Sequence, residues 1–289
     1  MRTQLVKIIA LSLALVASVG CFGVDYYKEI STRFKVNSNV KMNLATSFSS
    51  ITVNTWDESE IYIMVKINVD VKNESKAEQI FRSVEINENA SSPRLSISPS
   101  FKSRGNENFN IHVEIKMPRS ASISGDVDFG NLTLSSITGT LDVDLNYGNL
   151  TAAELKSSSN DVRVSFGNAT VAMFGGGKVN VDYGNLKLEQ LTGNTTAQID
   201  FGNVRIIKVS PSVTYVKANC QYGNIDMSVR TNTLVIAESS YGDVDFHGTY
   251  KMISKEKDDF TKRYEAQTGD GKCKVELEAG FGNIDVAFD

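Results

Sequence analysis

Histidine, cysteine, proline and tryptophan are all scarce in this chain of 289 residues, which holds two, three, four and one of them. His112 and His247 leave little imidazole for a catalytic triad or a histidine-rich metal site. Three cysteines cannot build a disulfide scaffold. With so few prolines, chain reversal falls to the 21 glycines. Positive charge is not in excess either: 30 Lys and Arg stand against 34 Asp and Glu, which excludes a nucleic-acid binder driven by phosphate contacts. No cofactor is implied. What remains, 41% apolar and 22% charged residues, is the composition of a globular protein with enough chain for a large core.

Residues 1–20 have the three parts of an export signal. Arg2 and Lys7 give a positive start, Ile8 to Val16 an apolar stretch too short to span a bilayer, and Ala17, Ser18 and Gly20 a small-residue end. Cys21 follows directly and resembles the lipid-modified cysteine of a bacterial lipobox, with Ser18 where the lipobox usually has Leu. The expectation is an exported protein of the cell envelope, lipid-anchored through Cys21 at the outer membrane or cell surface, with the periplasmic face as the alternative. Without residues 1–20 the chain has 28 basic and 34 acidic residues, a net charge of −6.

An internal repeat governs the rest. An aromatic residue followed by Gly and Asn, or once Asp, occurs eight times: Phe129-Gly130-Asn131, Tyr147-Gly148-Asn149, Phe166-Gly167-Asn168, Tyr183-Gly184-Asn185, Phe201-Gly202-Asn203, Tyr222-Gly223-Asn224, Tyr241-Gly242-Asp243 and Phe281-Gly282-Asn283. Successive spacings are 18, 19, 17, 18, 21, 19 and 40. The last spacing reads as two repeats, one of which has lost its signature. On both sides of each tripeptide apolar and polar residues alternate, as in Val179, Val181 and Tyr183 or Ile225, Met227 and Val229, so each repeat holds strands with one buried face. The Gly-Asn pair suits a turn needing positive φ.

A second break follows about ten residues after most tripeptides, so a repeat reads as strand, corner, strand, corner. One corner keeps its chemistry while the other drifts. A solenoid explains this, because equivalent corners stack on one edge and share an environment. The fold class expected is all-β: a right-handed parallel β-helix of about 17–21 residues per coil with one short N-terminal helix, its coils rising roughly 4.8 Å each. The eight aromatics are expected as an internal ladder beside the turn and the Asn residues as a hydrogen-bonded column, both structural. Cys220 and Cys273 fall at inward positions, and a disulfide between them is disfavoured by their different offsets.

Residues 21–118 read as the N-terminal part of the same solenoid, with capping strands. Phe48-Ser49-Ser50-Ile51 is a degenerate copy of the repeat, and Ser75 to Val84 is the one helical stretch, with Ala77, Ile80, Phe81 and Val84 on one face. Residues 119–289 hold the regular coils, with a charged excursion, or edge-strand pair, at about 249–263. Together Ile51-Thr52-Val53-Asn54-Thr55-Trp56-Asp57, Ala77-Glu78-Gln79-Ile80, Val113-Glu114-Ile115-Lys116-Met117-Pro118, the aromatic-Gly-Asn coils and the ending from Gly269-Asp270-Gly271-Lys272 through Gly282-Asn283-Ile284-Asp285-Val286 resemble the bacterial putative-adhesin family of β-strand-repeat domains, notably its exported Bacteroidetes-like members. The resemblance implies a right-handed β-helix, a cell-envelope location and no catalytic residues to carry over.

Three functional readings follow. The first is non-enzymatic, adhesin-like binding of a surface glycan or envelope protein. The second is a structural or scaffold protein of the envelope, with oligomerisation between coils as one form of it. The third, ranked behind both, is a β-helical polysaccharide lyase or hydrolase, which needs clustered carboxylates. Asp126, Asp128, Asp144, Asp182 and Asp200 form the candidate ligand face, with Arg163 among them. They recur with the repeat, whereas an active site departs from it. Few aromatics occupy outward positions in this reading, so it offers no sugar-stacking platform.

Overall fold

A computed structural model describes residues 24–71, 73–99 and 108–289. The export signal and Cys21 lie outside the described residues.

The N-terminal part comprises β1 (Val24–Lys35), β2 (Lys41–Ser47), β3 (Ser49–Trp56), β4 (Glu60–Val71), α1 (Glu74–Phe81), β5 (Val84–Asn87), β6 (Arg94–Ile97) and β7 (Asn108–Pro118). The regular coils follow as β8 (Ser122–Asp128), β9 (Leu132–Ile137), β10 (Leu141–Asn146), β11 (Leu150–Leu155), β12 (Asn160–Phe166), β13 (Ala169–Phe174), β14 (Gly177–Tyr183), β15 (Leu186–Leu191), β16 (Thr195–Phe201), β17 (Val204–Val209), β18 (Tyr215–Tyr222) and β19 (Ile225–Val229). The C-terminal part holds β20 (Thr233–Ser239), β21 (Val244–Gly248), β22 (Lys251–Lys257), β23 (Lys262–Gln267), β24 (Cys273–Phe281) and β25 (Ile284–Phe288).

From β8 to β19 successive strands alternate between two sheets, and each pairs in parallel with the strand two places on. This is a two-sheet parallel β-solenoid. Alternation decides its core. Val127, Leu145, Val164, Val181, Ile199 and Cys220 stack in one buried column, and Leu132, Leu150, Ala169, Leu186, Val204 and Ile225 face them from the other sheet. Each large aliphatic side chain so buried contributes about 1.5–3 kcal/mol.

The two edges of the solenoid are built differently. At the aromatic-Gly-Asn edge the glycines stack backbone on backbone. A Cβ at Gly148, Gly167, Gly184, Gly202, Gly223, Gly242 or Gly282 would lie 1.7–2.0 Å from the carbonyl oxygen of the neighbouring glycine. Space, rather than a shared dihedral, makes the glycine obligatory. In the first corners the positive φ belongs to the aromatic itself, at Phe48 (58°), Phe129 (53°) and Tyr147 (58°), and it passes to glycine at Gly167, Gly184, Gly202, Gly223 and Gly282. The opposite edge is solved corner by corner. Buried Asn160 there donates to Ser157 and Gly176 carbonyls and accepts from the Leu141 N–H, whereas Asn194 accepts from Thr214 and Tyr215. Individual solutions explain why that edge varies in length.

Both ends depart from chain order. The β2–β3 coil lies between β6–β7 and β8–β9, and the last coil, β24–β25, lies between β18–β19 and β20–β21. The spacing of 40 is therefore not a repeat with a lost signature. It holds an antiparallel hairpin, β22–β23, that extends one sheet beyond β20 before the chain returns to insert its final coil. At the other end β4 and β1 add antiparallel strands to β7. Helix α1, capped by the Asn73 side chain, buries Ala77, Ile80 and Phe81, while Val84 opens β5 instead of continuing the helix.

Candidate binding surface: an outward aromatic ridge

The corner places the aromatic side chains outside. Phe48, Phe129, Tyr147, Phe166, Tyr183, Phe201, Tyr222, Phe281 and Tyr241 form one column, each 37–55% exposed. Neighbouring rings are parallel within 1–8°, with centroids 4.6–5.0 Å apart. The internal ladder expected from alternation is thus an external ridge. The reason is local. The close glycine contact leaves no interior volume at the corner, so the residue before it turns out to solvent. Phe48, from the degenerate first copy, is a ninth ring.

Spatial order differs from chain order here too, because Phe281 lies between Tyr222 and Tyr241. With that insertion, Phe and Tyr alternate without interruption from Phe129 to Tyr241. Phe109 meets Phe48 edge-on at one end, and Phe260, on the turn of the β22–β23 hairpin, leans on Tyr241 at the other. Sequence reasoning missed both end rings, which lack the repeat signature. The only signal for Phe260 is an aromatic within a charged run.

At roughly 200 Å² of surface per aromatic side chain, the ridge exposes on the order of 800 Å². Contiguous apolar patches of monomeric proteins seldom pass a few hundred Å², and larger ones mark interaction sites.

Beside the rings runs the asparagine column. The Asn131 Oδ1 accepts both the backbone N–H and the Nδ2 of Asn149, at 3.0 Å each, and the pattern repeats through Asn168, Asn185, Asn203 and Asn224. Asn283 comes next and Asp243 is the terminal rung. An Asp cannot donate along the ladder as Asn does, and at the last rung its carboxylate turns to Lys262 instead.

The five aspartates all lie on the outer face of the sheet that leads into the ridge, in two columns. Asp126 and Asp144 are paired neighbours three residues before the rings. Asp128, Asp182 and Asp200 stand one residue before theirs, with Asn146 and Ser165 separating Asp128 from the other two. Arg163 bonds Asp144 and Asp161 at 3.0 Å each, and these carboxylates raise its pKa, the Asp144 hydrogen bond most. Among the described residues no group of three or more His, Cys, Asp or Glu could hold a metal ion. His112 on β7 and His247 on the edge strand β21 lie far apart in the other sheet, each 3.7 Å from one carboxylate.

Among the described residues depressions adjoin the ridge at two places, the first at its end between Phe48, Phe109 and Phe129. The second, a cavity of about 280 Å³, opens where Gly280 interrupts the column of side chains between Gln221 and Ser240, and Asp200, Asn219, Glu238 and Glu278 complete its walls. Arg263 bonds Glu238 and Lys217 bonds Glu278, leaving Asp200 as the carboxylate without an ion pair among the described residues. Cys220 lies below, unpaired and buried; burial pushes its thiol up to about 11. Cys273 is also free, its thiol raised by burial.

Two parallel sheets, backbone-stacked corners and one continuous, solvent-exposed aromatic ridge define a β-repeat protein. The chain belongs to the Toastrack DUF4097 family, whose model matches residues 30–287. Solved structures similar to it include a "putative cell adhesion protein" from Clostridium sporogenes (16% identity, covering 91% of this chain and 100% of that one, TM-score 0.30). Others are a "putative adhesin" from Bacteroides fragilis (14%, 90% and 97%, TM-score 0.36) and one from Parabacteroides distasonis (13%, 91% and 97%, TM-score 0.36). Superposition this weak carries nothing about what this chain binds. No functionally curated protein matches it. No helix among the described residues is long and apolar enough to cross a membrane.

Proposed function

We propose that the protein is an exported, non-enzymatic, adhesin-like binding protein of the cell envelope, anchored through Cys21, that holds an extended glycan or protein ligand along its aromatic ridge. The observation that carries this reading is the ridge itself: nine stacked rings kept in solvent. Burial would have been the cheaper fate for that much apolar surface. The flanking Asn column and the aspartate face supply polar contacts on either side.

Glycan and envelope-protein arrays probed with residues 22–289 test the reading. Saturable binding is expected, and Tyr183→Ser with Phe201→Ser should weaken it at least tenfold while the thermal transition stays cooperative. Absence of any saturable ligand, or binding indifferent to the two substitutions, would show the ridge to be structural. Release of carbohydrate cleavage products would make the protein an enzyme.

A further inference from the structure

The ridge has a period, and the period selects among ligands. We infer that its ligand is a polypeptide segment in the polyproline II conformation, lying along the solenoid axis; this rests on the ridge being the binding surface.

Neighbouring rings have centroids only 4.6–5.0 Å apart and turn their faces to one another. Nothing as thick as a second ring fits between them. The faces, which carry the negative side of the ring quadrupole, are engaged within the column, and solvent meets mainly the positive ring edges. A pyranose that needs a ring face to stack on finds little of one. An acceptor-rich or apolar rod laid across the edges finds nine of them.

Tyrosine occupies every second ring, at Tyr147, Tyr183, Tyr222 and Tyr241. Their hydroxyls have no protein partner among the described residues. They recur about every 9.6 Å, two coil steps of ~4.8 Å. A polyproline II helix repeats its facing residue every three residues, at about 9.3 Å. Over three tyrosine intervals the mismatch is roughly 1 Å. A strand brings back the same face about every 6.8 Å, and two α-helical turns take about 10.8 Å, which slips by more than 3 Å over the same distance.

The polyproline II backbone has no internal hydrogen bonds, so its carbonyls are free to accept. Each turn offers one to a tyrosine hydroxyl, while proline rings rest on the intervening phenylalanine edges. From Asn149 to Asn224 each ladder Nδ2 spends one N–H on the preceding rung, as Asn185 does on Asn168, and keeps the other for a ligand carbonyl. The full ridge, roughly 38 Å, accommodates about twelve residues.

Titration of the soluble chain 22–289 with oligoprolines of six and twelve residues, followed by amide chemical shifts, tests this. Dodecaproline should bind at least about fivefold more tightly than hexaproline. Tyr183→Phe and Tyr222→Phe, which keep the rings, should each weaken it about fivefold, the loss of one hydrogen bond. Phe201→Tyr should not weaken it. Equal affinity for the two lengths, no effect of the hydroxyls, or no oligoproline binding overturns the assignment. Glycan binding that depends on the ridge rings but not on the hydroxyls would overturn it too, while leaving the ridge as the binding surface.

Discussion

Gly184 shows what a single position contributes. Its missing Cβ would sit 1.8 Å from the Gly167 carbonyl oxygen, backbone against backbone, in a corner where neither chain can move without shifting the whole stack. Gly184→Ala should cost about 3 kcal/mol or more in urea denaturation. Gly271→Ala is the control. Its Cβ meets only the Gln267 side chain, at 3.0 Å, and should cost about 1 kcal/mol. Comparable losses at both sites would mean that φ, and not close approach, is what the corner demands.

Between the residue and the whole fold, the elements account for what could be read in the sequence. Alternation identified the strands and the fixed spacing stacked their corners, because period 2 and a repeat of 17–21 residues are properties of the chain alone. Alternation failed at the aromatics. Tyr183 lies two residues after buried Val181 and keeps its parity, yet the turn reverses its direction. A hint was present: four buried tyrosines in one column would each have needed a hydrogen-bond partner. The order of the last coils was not legible, because it depends on the pairing of β24 with β18 and β20 rather than on any local pattern. The β22–β23 hairpin, read from its charge as an excursion or edge pair, has its own pH dependence. Hydrogen bonding from Lys262, aided by its charge, holds the Asp243 carboxyl below its usual range. A lowered folded pKa stabilises above the unfolded value and is lost as pH falls through the folded one. Contact between hairpin and ladder should therefore loosen below about pH 4. Backbone amide shifts near Phe260, followed from pH 5 downward, should show a transition absent from Lys262→Met. Identical titrations in the two proteins would sink the linkage.

For the whole molecule, the important fact is that the final coil is interior. β25 pairs with both β19 and β21, and it brings Ile284, Val286 and Phe288 to the core. Removing residues 284–289 should leave two unpaired strand edges and abolish cooperative unfolding, with aggregation on size exclusion. Removing residues 24–35, an edge strand paired only with β4, should lower the midpoint but keep the transition cooperative. The proposal fails if the shorter, C-terminal deletion is the better tolerated.

The ridge is also an optical object. Nine chromophores held parallel at 4.6–5.0 Å couple their near-ultraviolet transitions. The sole tryptophan, Trp56, stands apart from them under the Arg33 guanidinium. Circular dichroism in the tyrosine band therefore reports the continuity of the column, while tryptophan emission reports the N-terminal coil. A ligand settling along the rings would change the first signal and leave the second unmoved.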